Sequence, residues 1–63
     1  MLKVKYFGLI TVSGTRLKYT DCSFYLSSDN SPILYMLKDN KNIVFPLNNI
    51  LCFDYILSDE EVD

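Results

Sequence analysis

The segment LKVKYFGLITVSGTRLKYTDCSFYL, residues 2–26, decides the fold. In residues 2–12 the even positions are Leu2, Val4, Tyr6, Gly8, Ile10 and Val12, while the odd positions begin with Lys3 and Lys5. A period of two with lysines on one side predicts a strand whose even set faces inward. Ser13-Gly14 then reads as a tight turn. Residues 15–26 form a second strand, but its apolar parity changes partway along. Leu17 and Tyr19 share one face, whereas Cys22, Phe24 and Leu26 take the other. One residue of slip sends every later side chain to the wrong face, so a β-bulge near residues 20–21 is expected to restore the pattern. With that bulge Val12 would face Thr15, Ile10 would face Leu17, and Gly8 would face Tyr19. Beyond it, Tyr6 would face Cys22, Val4 would face Phe24, and Leu2 would face Leu26. All the inward pairs become mainly apolar, which predicts a long, bent first hairpin.

The remainder of the chain continues in the same manner. Ala and Gln are absent, which removes two strong helix formers, and Tyr, Phe, Ile, Val and Thr suit a pleated surface. Residues 33–38 predict a third strand with Ile33, Tyr35 and Leu37 on one face and Leu34 and Met36 on the other. Asp39 to Asn42 is a polar turn, and residues 43–45 are a short fourth strand, with Pro46 marking an edge or the strand's end. Leu47–Asn49 suits one tight turn, and residues 50–57 form the last strand. The expected fold is therefore all-β, a five-stranded antiparallel meander over residues 1–57. This layout resembles an SH3-like small barrel, with a strongly bent open sheet as the alternative. The resemblance is architectural and implies no function. Residues 58–63 hold four acids and one apolar residue and read as a disordered acidic tail.

Composition narrows the function. The chain has 63 residues with no His and only two cysteines, Cys22 and Cys52. Neither cysteine begins a CxxC pattern, so a zinc site lacks its donors. Both read as buried thiols in a reducing, cytoplasmic setting. A nucleophile beside a base is missing, and two glycines, Gly8 and Gly14, make no phosphate loop. Asp21, Asp29 and Asp39 fall at the bulge and in turns. Asp54 is expected to point outward beside Ile50, Cys52 and Ile56. The expectation is a protein without catalysis, cofactor, metal or membrane-spanning segment.

The net charge of −2 conceals a strong polarity. Lys3, Lys5, Arg16 and Lys18 give residues 1–20 a charge of +4, while Asp54, Asp59, Glu60, Glu61 and Asp63 give residues 51–63 a charge of −5. In the bulged register the basic residues share the outward face of the first hairpin with Phe7, Leu9 and Tyr25. Lys3, Lys5, Phe7, Leu9, Arg16, Lys18 and Tyr25 thus form the expected partner-binding face. A protein partner is preferred, with the chain regulating or inhibiting a larger protein by occlusion, as small phage-encoded inhibitors do. Single-stranded nucleic acid or a nucleotide on the same basic-aromatic face is the alternative, although the acidic balance opposes it. A chain of this size also tends to need help from oligomerisation. Leu34, Met36, Leu51, Phe53 and Tyr55 form the expected homodimer interface, and a purely structural assembly subunit is the third reading. Finally, Glu60-Glu61-Val62-Asp63 resembles the carboxyl-terminal motif of cytosolic heat-shock chaperones, which implies capture by tetratricopeptide-repeat clamps. Acidic tails of this kind ordinarily serve solubility.

Overall fold

The computed structural model describes residues 1–28, 30 and 32–58. The acidic tail and its chaperone-like motif lie outside these residues apart from Ser58. Among the described residues five strands form one antiparallel sheet: β1 (Leu2–Thr11), β2 (Arg16–Ser27), β3 (Ile33–Lys38), β4 (Lys41–Pro46) and β5 (Ile50–Leu57), with a single 3-10 turn at Leu47–Asn49. The strand order is β4-β3-β2-β1-β5. The first four strands meander, and the 3-10 turn carries the chain across to the far side of β1. The sheet does not close, so of the two expected architectures the strongly bent open sheet is the one formed.

The first turn is one residue longer than expected. Val12, Ser13 and Gly14 form the loop, with the Gly14 N–H donating to the Thr11 carbonyl at 2.9 Å and the Thr11 N–H to the Thr15 carbonyl at 2.9 Å. Gly14 has φ 94, a conformation that costs a glycine little because it has no Cβ. This three-residue loop corrects the whole register. Ile10 faces Arg16, Leu9 faces Leu17, Gly8 faces Lys18, Val4 faces Cys22 and Leu2 faces Phe24.

The irregularity near residues 20–21 is present, but both strands share it. Asp21 has φ 55, and the buried parity of β2 changes from Leu17 and Tyr19 to Cys22 and Phe24 as expected. β1 changes parity at the facing position. Val4 is buried on one side of Lys5, and Phe7 and Leu9 on the other. Against β5, Lys5 is an extra residue, since Val4 faces Leu57 while Tyr6 faces Ile56. The expected inward set of Tyr6, Gly8 and Ile10 is therefore wrong: these residues sit on the outer face. The reason is burial. A bulge in β2 alone would leave Phe7 and Leu9 in water and put a glycine inside. Burying two large apolar side chains instead contributes about 1.5–3 kcal/mol each.

The double switch bends the sheet so that its two halves pack together. One half is β4, β3 and the later part of β2; the other is the earlier part of β2, most of β1, and β5. The core between them is Val4, Phe7, Leu9, Cys22, Phe24, Leu34 and Met36. Phe7 meets Phe24 edge-on at 4.8 Å between ring centroids and stacks on Phe53 at 5.4 Å. Aromatic pairs in these geometries stabilise beyond their buried area. Leu34 and Met36 are fully buried in this chain's own core, and Phe53 packs against it half-buried. These three residues are thus not a free oligomer surface, unlike Leu51 and Tyr55, which are exposed. The β3–β4 turn has Asp39 at φ 53 and Asn40 at φ 65, a two-residue turn whose twist suits a hairpin. Beside it, the Lys38 ammonium donates to the Thr20 carbonyl and tethers this turn to the bend. Among the described residues no helix is long and apolar enough to cross a membrane.

Two substitutions test this architecture by urea unfolding. Leu34→Ala empties a fully buried site and is expected to cost about 2–5 kcal/mol. Gly14→Ala meets no atom within 4 Å, so its expected cost of about 1 kcal/mol comes from backbone conformation alone.

Candidate functional site

The two packed halves diverge at one end, and the core opens to solvent there. A cavity of about 530 Å³ is lined by Met1, Leu2, Phe24, Tyr25, Leu26, Phe53 and Tyr55. The register explains why the opening is apolar. Leu2 faces Phe24, Leu26 faces Leu34, Tyr55 faces Phe7 and Leu57 faces Val4, so all four share the side that elsewhere forms the core. They nevertheless remain 42%, 47%, 42% and 51% exposed. Among the described residues, no lining side chain carries a formal charge.

This mouth adjoins the outer edge of β5, which among the described residues pairs on one side only. Its exposed residues include Leu51, Cys52, Tyr55, Ile56 and Leu57, and Asp54 is its single charge. The opposite edge, β4, begins with Lys41 and ends with Pro46. Lysine and proline are the residues that ordinarily discourage strand addition at an edge. One edge of the sheet is thus guarded and the other is nearly bare.

The expected basic face is not one surface. Phe7 and Leu9 are 0% and 2% exposed and belong to the core, because β1 changes parity at Lys5. The remaining members, Lys3, Lys5, Arg16, Lys18 and Tyr25, are exposed, but the bend divides them. Arg16 and Lys18 lie on the convex side of β2, β1 and β5, beside Ile10 and Gly8. Lys3 lies on the other half beside Ser23, and Lys5 sits at the bend itself. Tyr25 packs its ring 5.2 Å from that of Tyr35.

Sequence reasoning missed a second cavity on the Arg16 and Lys18 side. About 370 Å³ in volume, it also involves Tyr6, Gly8, Cys52 and Asp54. The available signal was Phe7 and Leu9 standing two apart, as Leu17 and Tyr19 do on the neighbouring strand. Asp54 does point outward with Cys52 and Ile56 as expected. Ile50 instead packs on the core, because Leu51 is an extra residue where Ile10 faces Cys52 and Thr11 faces Ile50.

The two thiols differ from each other, and neither is in a disulfide. Cys22 is buried as expected; Cys52 is exposed on the convex side of β5, which corrects its assignment to the core. Burial pushes the Cys22 thiol above its ordinary value; the Lys38 ammonium opposes this and the Asp21 carboxylate adds to it. Cys22 is accordingly a neutral core residue at pH 7, with little thiolate to act as a nucleophile. Comparison with protein-family models, with curated proteins and with solved structures finds no match for this chain.

Alkylation of the native protein should therefore modify Cys52 and spare Cys22, with both reacting in urea. The pH dependence has a definite sign. A thiol whose pKa is raised on folding keeps its proton longer in the native state. Its contribution to stability is intact below the unfolded value, near 9.0, and is lost as pH rises towards the folded value. Denaturation midpoints should fall more steeply above about pH 9 in the wild type than in Cys22→Ala.

Proposed function

We propose that this protein is a non-catalytic interaction module that binds another protein by strand addition. An extended segment of the partner pairs with the free edge of β5 and places an apolar side chain in the adjoining mouth. The observation that carries this reading is the coincidence of the two features: a solvent-open extension of the core directly beside the less guarded edge of the sheet. Backbone hydrogen bonds along an edge supply affinity, and a pocket for alternate side chains supplies specificity. The partner segment is apolar at the positions that face the mouth, because the described side chains lining it are uncharged. Occupying such a segment blocks whatever else would pair with it, so the module regulates by occlusion. The free thiols Cys22 and Cys52 suit a reducing, cytoplasmic compartment.

The alternative, single-stranded nucleic acid on one basic-aromatic face, has less support. Burial of Phe7 and Leu9 removes two of its apolar contacts, and the bend divides its cations. A strand of nucleic acid gains affinity from many cations acting together.

The test uses a photo-crosslinking residue at position 55, with position 18 as the control site. The expected outcome is a crosslink from position 55 to an extended, apolar segment of one partner protein. Binding of that purified partner should fall about tenfold or more, about 1.4 kcal/mol, in Leu26→Asp and Tyr55→Asp variants that keep wild-type circular dichroism. Arg16→Glu/Lys18→Glu should bind as the wild type does. Loss of binding on charge reversal with the mouth variants unaffected would overturn the proposal. So would crosslinking of position 55 only to a second copy of the chain, which points to an assembly subunit. Salt-sensitive binding of a labelled oligonucleotide without any protein crosslink would favour the nucleic-acid reading.

A further inference from the structure

We infer that the cavity on the convex side of β2, β1 and β5 is a binding site for a small amino-bearing nucleotide. Its floor is Gly8, which faces Lys18 on one neighbouring strand and Asp54 on the other. The missing side chain leaves a dip between a cation and an anion, and the end of the Tyr6 side chain fills it, so that Gly8 itself is buried. The Tyr6 hydroxyl leans into that dip so closely that a Cβ on Gly8 would overlap it, and the Asp54 Oδ1 lies 3.1 Å from the same point. Arg16 stands two residues from Lys18 on the same side of β2 and also lines the cavity.

The charges are exposed and not paired with one another. Among the described residues, Arg16, Lys18 and Asp54 make no ion pair. The backbones of Lys18 and Asp54 are two strand spacings apart, about 10 Å. The two cations at one end call for an anion, and the carboxylate at the other calls for a hydrogen-bond donor. Between them the Tyr6 ring offers a surface for a planar group, as aromatic side chains do for bases. A phosphate joined through a sugar to a base with an exocyclic amine meets all three demands. The volume of about 370 Å³ is within the range of small-molecule pockets. With two cations and one carboxylate, the site suits a single nucleotide better than a polymer, which needs more cations to release its counterions. The cavity shares only Phe53 with the apolar mouth, and this inference does not depend on strand addition at β5.

The test is titration of the full chain with adenosine monophosphate, followed by amide NMR shifts and calorimetry. Uridine monophosphate and inorganic phosphate are the comparison probes. Saturable binding is expected, with shifts centred on Gly8, Lys18 and Asp54 and at least tenfold preference over both comparison probes. Arg16→Gln/Lys18→Gln should weaken binding more than tenfold. Asp54→Asn should abolish the preference for the amino-bearing base. Gly8→Ala displaces the ends of two side chains, Tyr6 and Asp54, and no backbone, and should lose binding while keeping the wild-type spectrum. Leu26→Asp, in the mouth, should bind the nucleotide normally, so failure here and failure of the protein-binding reading remain distinguishable. Absence of saturation at millimolar nucleotide overturns the inference. Equal affinity for inorganic phosphate also overturns it, as does an unchanged preference in Asp54→Asn.

Discussion

The constraint on which the rest of this structure depends is the coupled change of parity at Lys5 and Asp21. Two neighbouring strands reverse their inward and outward sides at facing positions. Their register is therefore the same on both sides of the break, and only the face changes. Above the break the sheet buries Phe7, Leu9, Leu17 and Tyr19 to differing degrees; below it, Val4, Cys22 and Phe24. A flat five-stranded sheet has one apolar side and no second layer to cover it. The bend supplies that layer from the same sheet, and Phe7 against Phe24 is where the halves meet. Asp21 suits the break because aspartate tolerates a left-handed backbone better than most residues, and the Lys38 ammonium on the Thr20 carbonyl holds it in place.

The same economy explains the open mouth. A domain of this size buries only about 60% of the surface its unfolded chain exposes. Here the core is filled around Phe7, Leu34 and Met36, and the described residues leave Leu2, Leu26, Tyr55 and Leu57 exposed. Fold and candidate site thus follow from the same limited burial. The apolar surface that the described residues leave uncovered is the surface assigned to a partner in the proposed function, and it lies beside the outer edge of β5.

Charge follows the bend as well. The +4 of residues 1–20 is continuous in sequence, but the tertiary structure distributes it over two convex surfaces and the bend between them. That separation weakens a long basic track and concentrates Arg16 and Lys18 opposite Asp54 across a glycine. The chemistry available there is local and mixed in sign, which suits a small bifunctional ligand.

Much of this was legible in the residues themselves. Strand number, approximate boundaries, the 3-10 turn before β5 and the reversal within β2 all follow from local rules, because turn residues and apolar alternation are properties of neighbouring positions. The inward side of β1 was not legible. Tyr6 and Ile10 on one side and Phe7 and Leu9 on the other are both apolar pairs, so alternation alone leaves the choice open. Contact decides it. With Leu17 and Tyr19 facing Leu9 and Phe7, and Phe53 and Tyr55 on the far side, the odd residues bury more and Gly8 is turned outward. Sequence by itself determined which segments are strands and where the chain turns. Only tertiary structure decided which side of those strands is the core, because that choice depends on the area buried against both neighbours at once. With it came the places of Phe7, Leu9, Leu34 and Met36 inside and of Gly8, Arg16, Lys18 and Asp54 around one cavity.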